Sequence, residues 1–329
     1  MPITGPSSYV PTTQAFLAHW ADVNTALTAP TVMTLAGALL GKLTPVVVAD
    51  LQALYDALLA QRTTVTDALV DVDFARSDLG ALKARLASRM AEFTAVIRGN
   101  LPSSKYARAL PAQAPADAGQ GVLAEAVGRV KKVWNALNDG TPFGMVTPVV
   151  LQGGYGLNGF ETDVTALPGT FMAVTEAGGQ VKLEQEERND LQDRIYPLLK
   201  AYRQVMPTMF APGNALTDSL PDLTPAPGST PAPVALTAAL DGPTQQAHLT
   251  WTASGNAELD HYEVRAVPGG TYNVNDEVQV ATVAKEAART LLTDHFLTDP
   301  GQTASFKVYV VLTTENEAGS NARTVARPA

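Results

Sequence analysis

The chain has 329 residues, which at roughly 100 to 200 residues per domain indicates about two domains, each large enough to bury a core without cross-links. It contains no cysteine, which excludes disulfides, iron–sulfur clusters, thiolate zinc sites and cysteine nucleophiles. With 23 Lys and Arg against 32 Asp and Glu, the formal charge of −9 argues against nucleic acid or an anionic membrane surface as the main partner.

The first fifty residues show neither of the usual export and membrane signals. Residues Met1–Val10 have no basic n-region and no apolar h-region, so we do not expect a classical secretory signal. The most apolar stretch, Pro30–Val48, is interrupted by glycines, a lysine and a proline, and it falls short of the roughly 20 apolar residues of a membrane-spanning helix. We therefore expect no transmembrane segment.

Two helices are predicted in the first hundred residues. Thr12 and Thr13 are expected to cap a short first helix, because apolar residues follow them at helical spacing. Thr44 and Pro45 are predicted to begin a second helix of about 55 residues, which ends at Gly99. The apolar face of the first helix comprises Phe16, Leu17, Trp20, Val23 and Leu27. That of the second comprises Leu51, Leu54, Leu58, Val65, Leu69, Val72, Leu79, Leu82, Leu86, Phe93 and Ile97.

Three further helices are predicted before the C-terminal third of the chain. The third spans about Ala116–Asn138, the fourth begins near Leu157, and the fifth covers Val181–Met206, with irregular connections at Ser103–Pro115 and Gly140–Gly156. Together the helices, rich in alanine, valine and leucine, predict a long antiparallel bundle over residues 1–219. The inward faces are expected to comprise Leu123, Val127, Val130, Trp134 and Leu137, then Phe160, Val164, Leu167, Phe171 and Val174, then Leu191, Ile195, Leu198, Tyr202 and Val205. The exposed face of the third helix carries Arg129, Lys131 and Lys132.

Glycine and proline are expected to interrupt the longer helices. Gly80 and the stretch Asp71–Asp78 are expected to bend or break the second helix. Pro168–Gly169 is expected to kink the fourth, and Gly178–Gly179 to end or turn it. Pro197 interrupts the hydrogen-bond ladder of the fifth. The fourth and fifth helices are therefore predicted as separate elements.

A proline-rich segment separates the bundle from a β-rich region. Leu220–Pro233 contains five prolines, which remove backbone donors and disfavour both helix and strand, so we predict a semi-rigid linker. After it, alternation of period two between turn-forming clusters predicts a seven-stranded β-sandwich over residues 234–329. The strands are predicted at Val234–Leu240, His248–Thr252, His261–Val267, Glu277–Val283, Arg289–Leu292, Phe306–Thr313 and Arg323–Ala326.

This C-terminal region resembles a fibronectin type III domain. Leu249–Ser254 (LTWTAS) is similar to the family's B strand with its tryptophan, and Leu259–Arg265 (LDHYEVR) is similar to its C strand. Thr298–Val311 is similar to the E–F corner and F strand, and Glu315–Ser320 to the F–G turn. The resemblance covers Val234–Pro328, and it implies a sandwich with a binding or spacer role that is often extracellular in bacteria.

One position departs from the family pattern. Phe306 stands where the family usually has a tyrosine whose hydroxyl closes the E–F corner, so that hydrogen bond is expected to be missing. The chain has no Arg-Gly-Asp triplet, so integrin-type adhesion is not implied. The helical region resembles no family of characterised function.

Two glycine-rich segments partly match phosphate-binding motifs. Gly154–Gly159 fits G-x-G-x-x-G before a helix, but no second strand with a terminal acid follows, so a loop between helices or a subunit contact is favoured over a dinucleotide site. Gly37–Thr44 (GALLGKLT) has three residues instead of four between its glycines, and Leu43 follows Lys42, so a plain loop is favoured over a phosphate loop.

The acidic residues and histidines do not form a recognisable reactive site. Four acidic residues at the predicted start of the fifth helix complement the helix dipole, so a solvated or interfacial face is favoured over a metal or acid–base site. The histidines lack metal-ligand spacing and are interpreted as isolated surface or strand residues. We predict no catalytic residue, no metal ligand and no cofactor. The acidic residues are Glu184, Glu186, Glu187 and Asp190, and the histidines are His19, His248, His261 and His295.

These features favour assembly over catalysis. Our first hypothesis is a non-enzymatic bacterial structural protein whose helical region self-associates into a filament, tube or lattice, with the sandwich displayed on it or cross-linking it. The alternative is a cell-surface binding module whose sandwich loops recognise glycan or protein. An enzyme that uses the Gly154–Gly159 loop has the least support. We expect an extracellular or cell-surface location reached without a classical signal, with a cytoplasmic particle as second choice.

Overall fold

The computed structural model describes residues 3, 5–27, 29–114, 118–140, 142, 145–224, 230–274, 276–314 and 316–328. Helices in the N-terminal region and antiparallel sheets in the C-terminal region confirm the predicted α plus β class. The chain divides into two compact units, one formed by Met1–Thr66 with Lys182–Ala329 and the other by Asp67–Val181. Both dividing points, at residues 66–67 and 181–182, lie inside long helices. The domain boundaries predicted from the sequence, at residues 219 and 234, therefore stay a prediction.

The first helix, α1 (Tyr9–Ala26), begins earlier than predicted. Thr12 and Thr13 are not its caps, because both are buried within it, and the Thr13 hydroxyl donates to the Tyr9 carbonyl at 2.7 Å. The turn before the helix is ordered by Ser8, whose hydroxyl accepts from the Gly5 amide at 3.1 Å and donates to the Gly5 carbonyl at 2.7 Å. Since this turn already arranges the chain, the helix starts directly after Ser8.

The second helix, α2 (Val48–Asn100), is continuous over 53 residues. Thr44 and Pro45 do not begin it, because Val46 forms an antiparallel bridge with Leu35, and the Asp50 carboxylate accepts from the Val47 amide at 2.9 Å at the helix start. Neither Gly80 nor the Asp71–Asp78 stretch breaks it, and its end near Gly99 is confirmed. Ten of the eleven apolar residues predicted for its inner face are buried, and the other, Leu69, is half-buried.

The remaining helices are α3 (Lys105–Ala109), α4 (Gln120–Gly140), α5 (Leu157–Val205) and α6 (Ala215–Asp218). A two-stranded antiparallel sheet of β1 (Val150–Leu151) and β2 (Tyr155–Gly156) precedes α5. The third predicted helix starts at Gln120, and its predicted first residue, Ala116, lies outside the described residues. Among the described residues, no helix is both long and apolar enough to cross a membrane.

The fourth and fifth predicted helices are a single helix, which corrects their separation. α5 runs for 49 residues through Pro168–Gly169, Gly178–Gly179 and Pro197. A glycine inside a helix costs about 1 kcal/mol relative to alanine. Buried residues on both sides of the glycine pair, such as Leu167 and Ile195, continue the apolar face, so packing outweighs that local cost.

Within residues 67–181, α2, α4 and α5 enclose a hydrophobic core. Trp134 of α4 is fully buried, and its ring stacks on Phe93 of α2 with centroids 4.5 Å apart. The Phe160 ring of α5 lies 5.6 Å from the Trp134 ring, and the indole N–H donates to the Val149 carbonyl at 3.3 Å. Trp134 is therefore the contact that joins all three helices.

The other unit contains a second helical core, formed by α1, the start of α2 and the end of α5. Tyr202 of α5 is fully buried at its centre, with its ring 5.7 Å from that of Phe16 and 4.9 Å from that of Trp20. The Trp20 indole N–H donates to the Met33 carbonyl at 3.2 Å. The predicted inward faces of these helices are therefore the ones that pack, except that Val205 is exposed.

A β-sandwich with its own core follows in the same unit. One sheet has the strand order β3-β4-β7, and the other has the order β10-β8-β5-β6, with β9 also paired to β8. The predicted strands occur, and the short strand β9 is an addition before the last of them. The bounds are β3 (Leu236–Asp241), β4 (Gln246–Trp251), β5 (Leu259–Pro268), β6 (Val278–Ala284), β7 (Thr290–Thr293), β8 (Thr303–Leu312), β9 (Glu317–Gly319) and β10 (Arg323–Ala326).

The corner before β8 is closed by an arginine. Phe306 is fully buried in the sandwich core, and a phenylalanine has no hydroxyl to donate. The Arg327 guanidinium reaches the same corner, where Nη1 donates to the Leu297 carbonyl at 2.9 Å and to the Thr298 carbonyl at 2.7 Å. The Arg327 amide donates to the Gln302 carbonyl at 2.8 Å. Arg327 thus supplies the donor that Phe306 lacks.

We expect Arg327→Ala to lower the free energy of unfolding by about 1–3 kcal/mol, because it leaves the buried corner carbonyls without their donor. Urea denaturation followed by tryptophan fluorescence, to which Trp251 of the sandwich core contributes, measures this loss. Arg289→Ala is the matched control, since Arg289 is exposed and should cost less than about 0.5 kcal/mol. Equal effects of the two variants would contradict the role of Arg327.

Candidate functional site: a buried ionic cluster

A charged strand face of the sandwich is buried, which is unusual for an outer sheet face. On β5, Tyr262, Val264 and Ala266 point into the sandwich core, so Glu263 and Arg265 lie on the opposite face. Arg265 is nevertheless only 3% exposed. Lys, Glu, Arg and Asp are almost never fully buried unless they are paired, so this face requires both ionic partners and a covering element.

Three carboxylates surround the Arg265 guanidinium. Its Nε donates to Glu263 Oε2 at 2.8 Å, and its Nη2 donates to the same oxygen at 2.5 Å. Its Nη1 donates to Glu277 Oε1 at 2.8 Å and to Glu317 Oε1 at 3.1 Å, and its Nη2 donates to Glu317 Oε2 at 2.5 Å. We call these four residues the Arg265 cluster. All four are at most 9% exposed, so the ion pairs lie in a desolvated environment.

Two tyrosines contact the Arg265 cluster. Arg265 Cζ lies over the Tyr309 ring, 4.0 Å from the ring centroid. The Tyr309 and Tyr272 hydroxyls donate to Glu277 Oε2 at 2.8 Å and 2.7 Å. Every oxygen of the Glu277 carboxylate therefore accepts a hydrogen bond, which offsets the cost of burying it.

Sheet topology brings these residues together from distant parts of the sequence. Glu263 and Arg265 are two residues apart on β5 and so share a face. Glu263 is paired in register with Tyr309 of β8, and Glu317 lies on β9, which pairs with β8 on its other side. Glu277 directly precedes β6 on the opposite flank of β5. The Arg265 cluster and Tyr309 thus come from β5, β8 and β9 and from the residue before β6, all in one sheet.

Burial and charge act in opposite directions on these groups. Burial disfavours the charged form of Arg265, but its three carboxylates hold its pKa well above the ordinary value. Burial raises the pKa of Glu317, and the neighbouring Arg265 only partly opposes that rise. Burial also disfavours the charged form of Arg188 of α5 and lowers its pKa, although Glu277 nearby favours the charged form. Ionisation of Glu317 therefore costs free energy in the folded state.

The raised pKa of Glu317 predicts a pH dependence of stability. A carboxyl with a raised folded-state pKa contributes stability below its ordinary pKa of 4.5, and this contribution is lost as pH rises through the folded value. Glu317→Gln removes the titration. We therefore expect the free energy of unfolding of Glu317→Gln minus that of the wild type to increase as pH rises from 4.5 towards 8. Urea denaturation across that range measures it, and a pH-independent difference would contradict the assignment.

The buried sheet face is covered by α5 and by the segment before α1. The Gln185 side-chain amide of α5 donates to the Glu277 carbonyl at 3.4 Å. A Cβ on Gly5 would lie 1.8 Å from Glu317 Oε1, so the N-terminal segment passes directly over the Arg265 cluster. That segment is held to α5 by Gln192, whose amide donates to the Pro6 carbonyl at 3.1 Å. The Arg265 cluster is therefore an attachment between the sandwich and the helices of its unit.

Gly5 is needed for this close approach. Its φ of −176° is extended backbone that any residue adopts, so the constraint is space and not conformation. We expect Gly5→Ala to lower the free energy of unfolding by about 1–3 kcal/mol, because Glu317 is held by Arg265 and cannot simply move aside. Thermal denaturation measures the change. Gly242→Ala is the matched control, because a Cβ there meets nothing within 4 Å. A Gly5→Ala variant as stable as the control would contradict this packing.

The Gly154–Gly159 loop packs against α2. Gly154 has a φ of +77°, and the Tyr155 hydroxyl donates to Asp163 Oδ2 at 2.7 Å. Arg85 of α2 binds the same carboxylate through Nε at 2.9 Å and Nη2 at 2.8 Å. A Cβ on Gly159 would lie 3.1 Å from the Tyr155 ring. The glycines therefore serve a tight turn and a ring contact, and the adjoining sheet is antiparallel, unlike that of a dinucleotide-binding unit.

The second glycine-rich segment is also occupied by internal contacts. Gly37 begins a short 3₁₀ turn, and a Cβ on it would lie 2.3 Å from the Thr44 carbonyl oxygen. Lys42 donates to the Asp50 carboxylate at the start of α2. Leu43 is fully exposed. A lysine held by an internal carboxylate favours the plain-loop interpretation.

The acidic residues predicted at a helix start lie elsewhere. Because α5 begins at Leu157, they occupy its middle, and the helix-dipole explanation is wrong. Glu184 is buried and accepts from the Gln61 side-chain amide at 2.6 Å. Glu186, Glu187 and Asp190 are exposed, as a solvated face requires. Within the described residues, no group of three or more His, Asp or Glu is placed to hold a metal ion.

His19 differs from the other histidines because it is buried in the helical core. Its Nε2 lies 2.8 Å from the Leu216 carbonyl, which only accepts, so Nε2 carries the proton. In the neutral ring Nδ1 then accepts from the Tyr202 hydroxyl at 2.6 Å. His248 is exposed on β4, and His261 of β5 lies 2.7 Å from the Asp260 carboxylate. His19 is thus a core residue and not an isolated surface one.

The Arg265 cluster was missed in the sequence. The signal present was a charged Glu-x-Arg pair, Glu263 and Arg265, inside a strongly apolar predicted strand. Charged residues two apart on a strand normally mark a solvated face, and nothing in the local sequence indicates that a helix covers it. Glu277 and Glu317 are 12 and 52 residues from Arg265 along the chain, so only the strand order reveals them as its partners.

The solved structures to which this chain is similar match about a third of it or less. No protein-family model and no curated protein sequence matches. An Fn3-like protein from Clostridium thermocellum is 23% identical over 31% of this chain and 97% of its own, with a TM-score of 0.24. A pectate lyase from Erwinia chrysanthemi in complex with tetragalacturonic acid is 24% identical, with a TM-score of 0.24. One from Pectobacterium carotovorum is 13% identical over 27% of this chain and 26% of its own, with a TM-score of 0.23. The matched region spans 28% of the Erwinia lyase and 28% of this chain.

Proposed function

We propose that this chain is a non-enzymatic structural protein that assembles with copies of itself through its helical region. The observation that carries the proposal is the exposure of large apolar side chains on the helices of residues 67–181. Phe74 of α2 is 66% exposed, Val122 of α4 is 59% exposed, and Met172 of α5 is 58% exposed. Exposed apolar surface that recurs on neighbouring helices favours contact with a partner.

The attachment of the sandwich supports the same proposal. We propose that the sandwich is a domain of the fibronectin type III kind and that it is displayed in a fixed position on α5. Arg265 and Glu317 lie under Gly5 and near Gln185, so the outer face of one sheet packs against other parts of the same chain. A sandwich held through a buried face suits a rigid appendage better than one that swings on a flexible linker.

Mass measurement at increasing concentration tests this function. Size-exclusion chromatography with light scattering on the full chain should give a mass that rises above the 34.6 kDa of one copy as concentration increases. Negative-stain electron microscopy of the same sample should show ordered filaments, tubes or sheets. A mass of one copy at every concentration would overturn the proposal, and ligand screening of the sandwich would then be the next step.

A further inference from the structure

The segment that covers the Arg265 cluster brings no charge to it. Residues 5–8, which we name the strap, have the sequence Gly-Pro-Ser-Ser and contain no ionisable side chain. The strap lies directly against the Glu317 carboxylate, because a Cβ on Gly5 would overlap its Oε1 atom. The side chain of Glu317 is only 2% exposed. The strap therefore excludes water from a carboxylate without supplying a counter-charge.

The strap is a short turn that can open without unfolding the helices. The Ser8 hydroxyl accepts from the Gly5 amide and donates to the Gly5 carbonyl, so the two ends of the turn are joined. The Gln192 side-chain amide of α5 holds the turn by donating to the Pro6 carbonyl at 3.1 Å. Short surface segments open locally at a smaller cost than global unfolding. Opening of the strap gives water access to Glu317.

The groups around Glu317 decide how its ionisation acts on the strap. Arg265 donates to both oxygens of Glu317, but the same guanidinium also binds two other carboxylates. When all three are ionised, their negative charge exceeds the positive charge of Arg265. Burial is the largest cause of the raised pKa of Glu317. The titratable and charged groups that surround this carboxylate are Arg265 and Glu263 of β5, Glu277 before β6, Tyr309 of β8 and Arg188 of α5.

We propose that the strap is a pH-sensitive latch, which is closed over Glu317 when this residue is protonated and opens when it is ionised. Because the closed strap removes water from the carboxylate, the closed state binds the proton more tightly than the open state. By linkage, loss of the proton favours opening by the same factor. Closure is therefore fully favoured below the ordinary pKa of 4.5 and is lost as pH rises through the raised value.

The latch controls how firmly the sandwich is attached. The outer sheet face that carries the Arg265 cluster is covered by α5 and by the strap, so an open strap removes one of these two coverings. Acidic pH thus tightens the attachment, and higher pH loosens it. This inference goes beyond the proposed function and holds whether or not the chain self-associates.

The absence of cysteine from the chain makes opening of the strap directly measurable. Ser8→Cys places a single thiol in the strap at a position that is 1% exposed, so the thiol reacts only when the strap opens. Its rate of reaction with 4,4′-dithiodipyridine at pH 5, 6, 7 and 8 is divided by that of Gly242→Cys, whose exposed thiol corrects for thiolate formation. We expect this ratio to rise by up to about tenfold per pH unit and then to level off.

Two second substitutions in Ser8→Cys identify the titrating group. Adding Glu317→Gln should make the ratio independent of pH, because the amide does not titrate. Adding Glu286→Gln is the matched control, since this glutamate side chain is 74% exposed, and it should leave the pH dependence unchanged. A ratio that does not change with pH, or that still changes when Glu317→Gln is present, overturns the proposal.

A second measurement avoids any substitution in the strap. Gln192→Ala removes the donor to the Pro6 carbonyl, and freeing the strap should lower the pKa of Glu317 towards its ordinary value, because linkage is reciprocal. Carbon-13 NMR of the full chain labelled at the glutamate carboxyl carbons measures this pKa, and Glu317→Gln identifies the signal. A pKa of Glu317 that is the same in Gln192→Ala and in the wild type overturns the coupling, whatever the Ser8→Cys variants show.

Discussion

Replacing Arg265 with methionine should lower the free energy of unfolding by about 3–5 kcal/mol, which is the usual cost of removing one partner from a buried ionic group. The substitution keeps the unbranched apolar stem of the side chain but leaves Glu263, Glu277 and Glu317 close together without their cation. Urea denaturation at neutral pH, followed by tryptophan fluorescence, measures the loss.

Lys307→Met is the matched control for this change. Lys307 is paired in register with Arg265 on the neighbouring strand, but its ammonium lies over the Tyr272 ring, 4.8 Å from its centroid, and not among the carboxylates. It should cost less than about 1 kcal/mol. Adding Glu317→Gln to Arg265→Met should restore part of the stability, because it removes one of the stranded charges. A loss equal to that of the control would show that the Arg265 cluster does not hold the sandwich.

The second large effect is expected at Trp134, in the core of residues 67–181. Trp134→Ala should lower the free energy of unfolding by about 3–5 kcal/mol, because it leaves a cavity where Phe93 and Phe160 now meet the indole. Far-UV circular dichroism during urea denaturation reports the helices. Trp134→Phe keeps an aromatic ring against Phe93 and should cost much less than Trp134→Ala.

The three tryptophans allow this loss to be located. Trp20 lies in the helical core of the first unit, Trp134 in the core of residues 67–181, and Trp251 in the sandwich core. In Trp134→Ala, fluorescence therefore reports only the other two cores. In this variant the fluorescence of Trp20 and Trp251 and the circular dichroism of the helices are each compared with the wild type. If both signals change at the same urea concentration as in the wild type, the interpretation of Trp134 as the contact that joins three helices is wrong.

Much of the fold was predictable because it depends on local periodicity. The apolar residues of α2 recur at helical spacing from Leu51 to Ile97, and those residues are the ones buried. The alternation after residue 234 likewise predicted the strands. Helix starts were less predictable, since the chain offers several capping residues. Ser8 orders the turn before α1, although Thr12 and Thr13 are equally plausible caps by sequence.

The effect of glycine and proline inside α5 was overestimated, because a helix end was inferred from single residues. Each glycine of Gly178–Gly179 disfavours a helix by about 1 kcal/mol and Pro197 by about 3 kcal/mol or more, whereas packing of Leu167, Ile195 and their neighbours acts along the whole of α5. Propensity is a property of single residues, but the continuity of a helix depends on what its entire face contacts. A sequence alone does not contain that contact surface.

The candidate site marks the limit of sequence reasoning more sharply. The sequence by itself determined the α plus β class, the inward faces of the helices and the positions of the strands along the chain, because backbone geometry repeats every 3.6 or 2 residues. Only the tertiary structure decided that Arg265, Glu277 and Glu317 share one desolvated cluster and that Gly5 passes over it. Those contacts join residues far apart in the chain, and their energies depend on the burial of charged groups, which the local pattern around them does not encode.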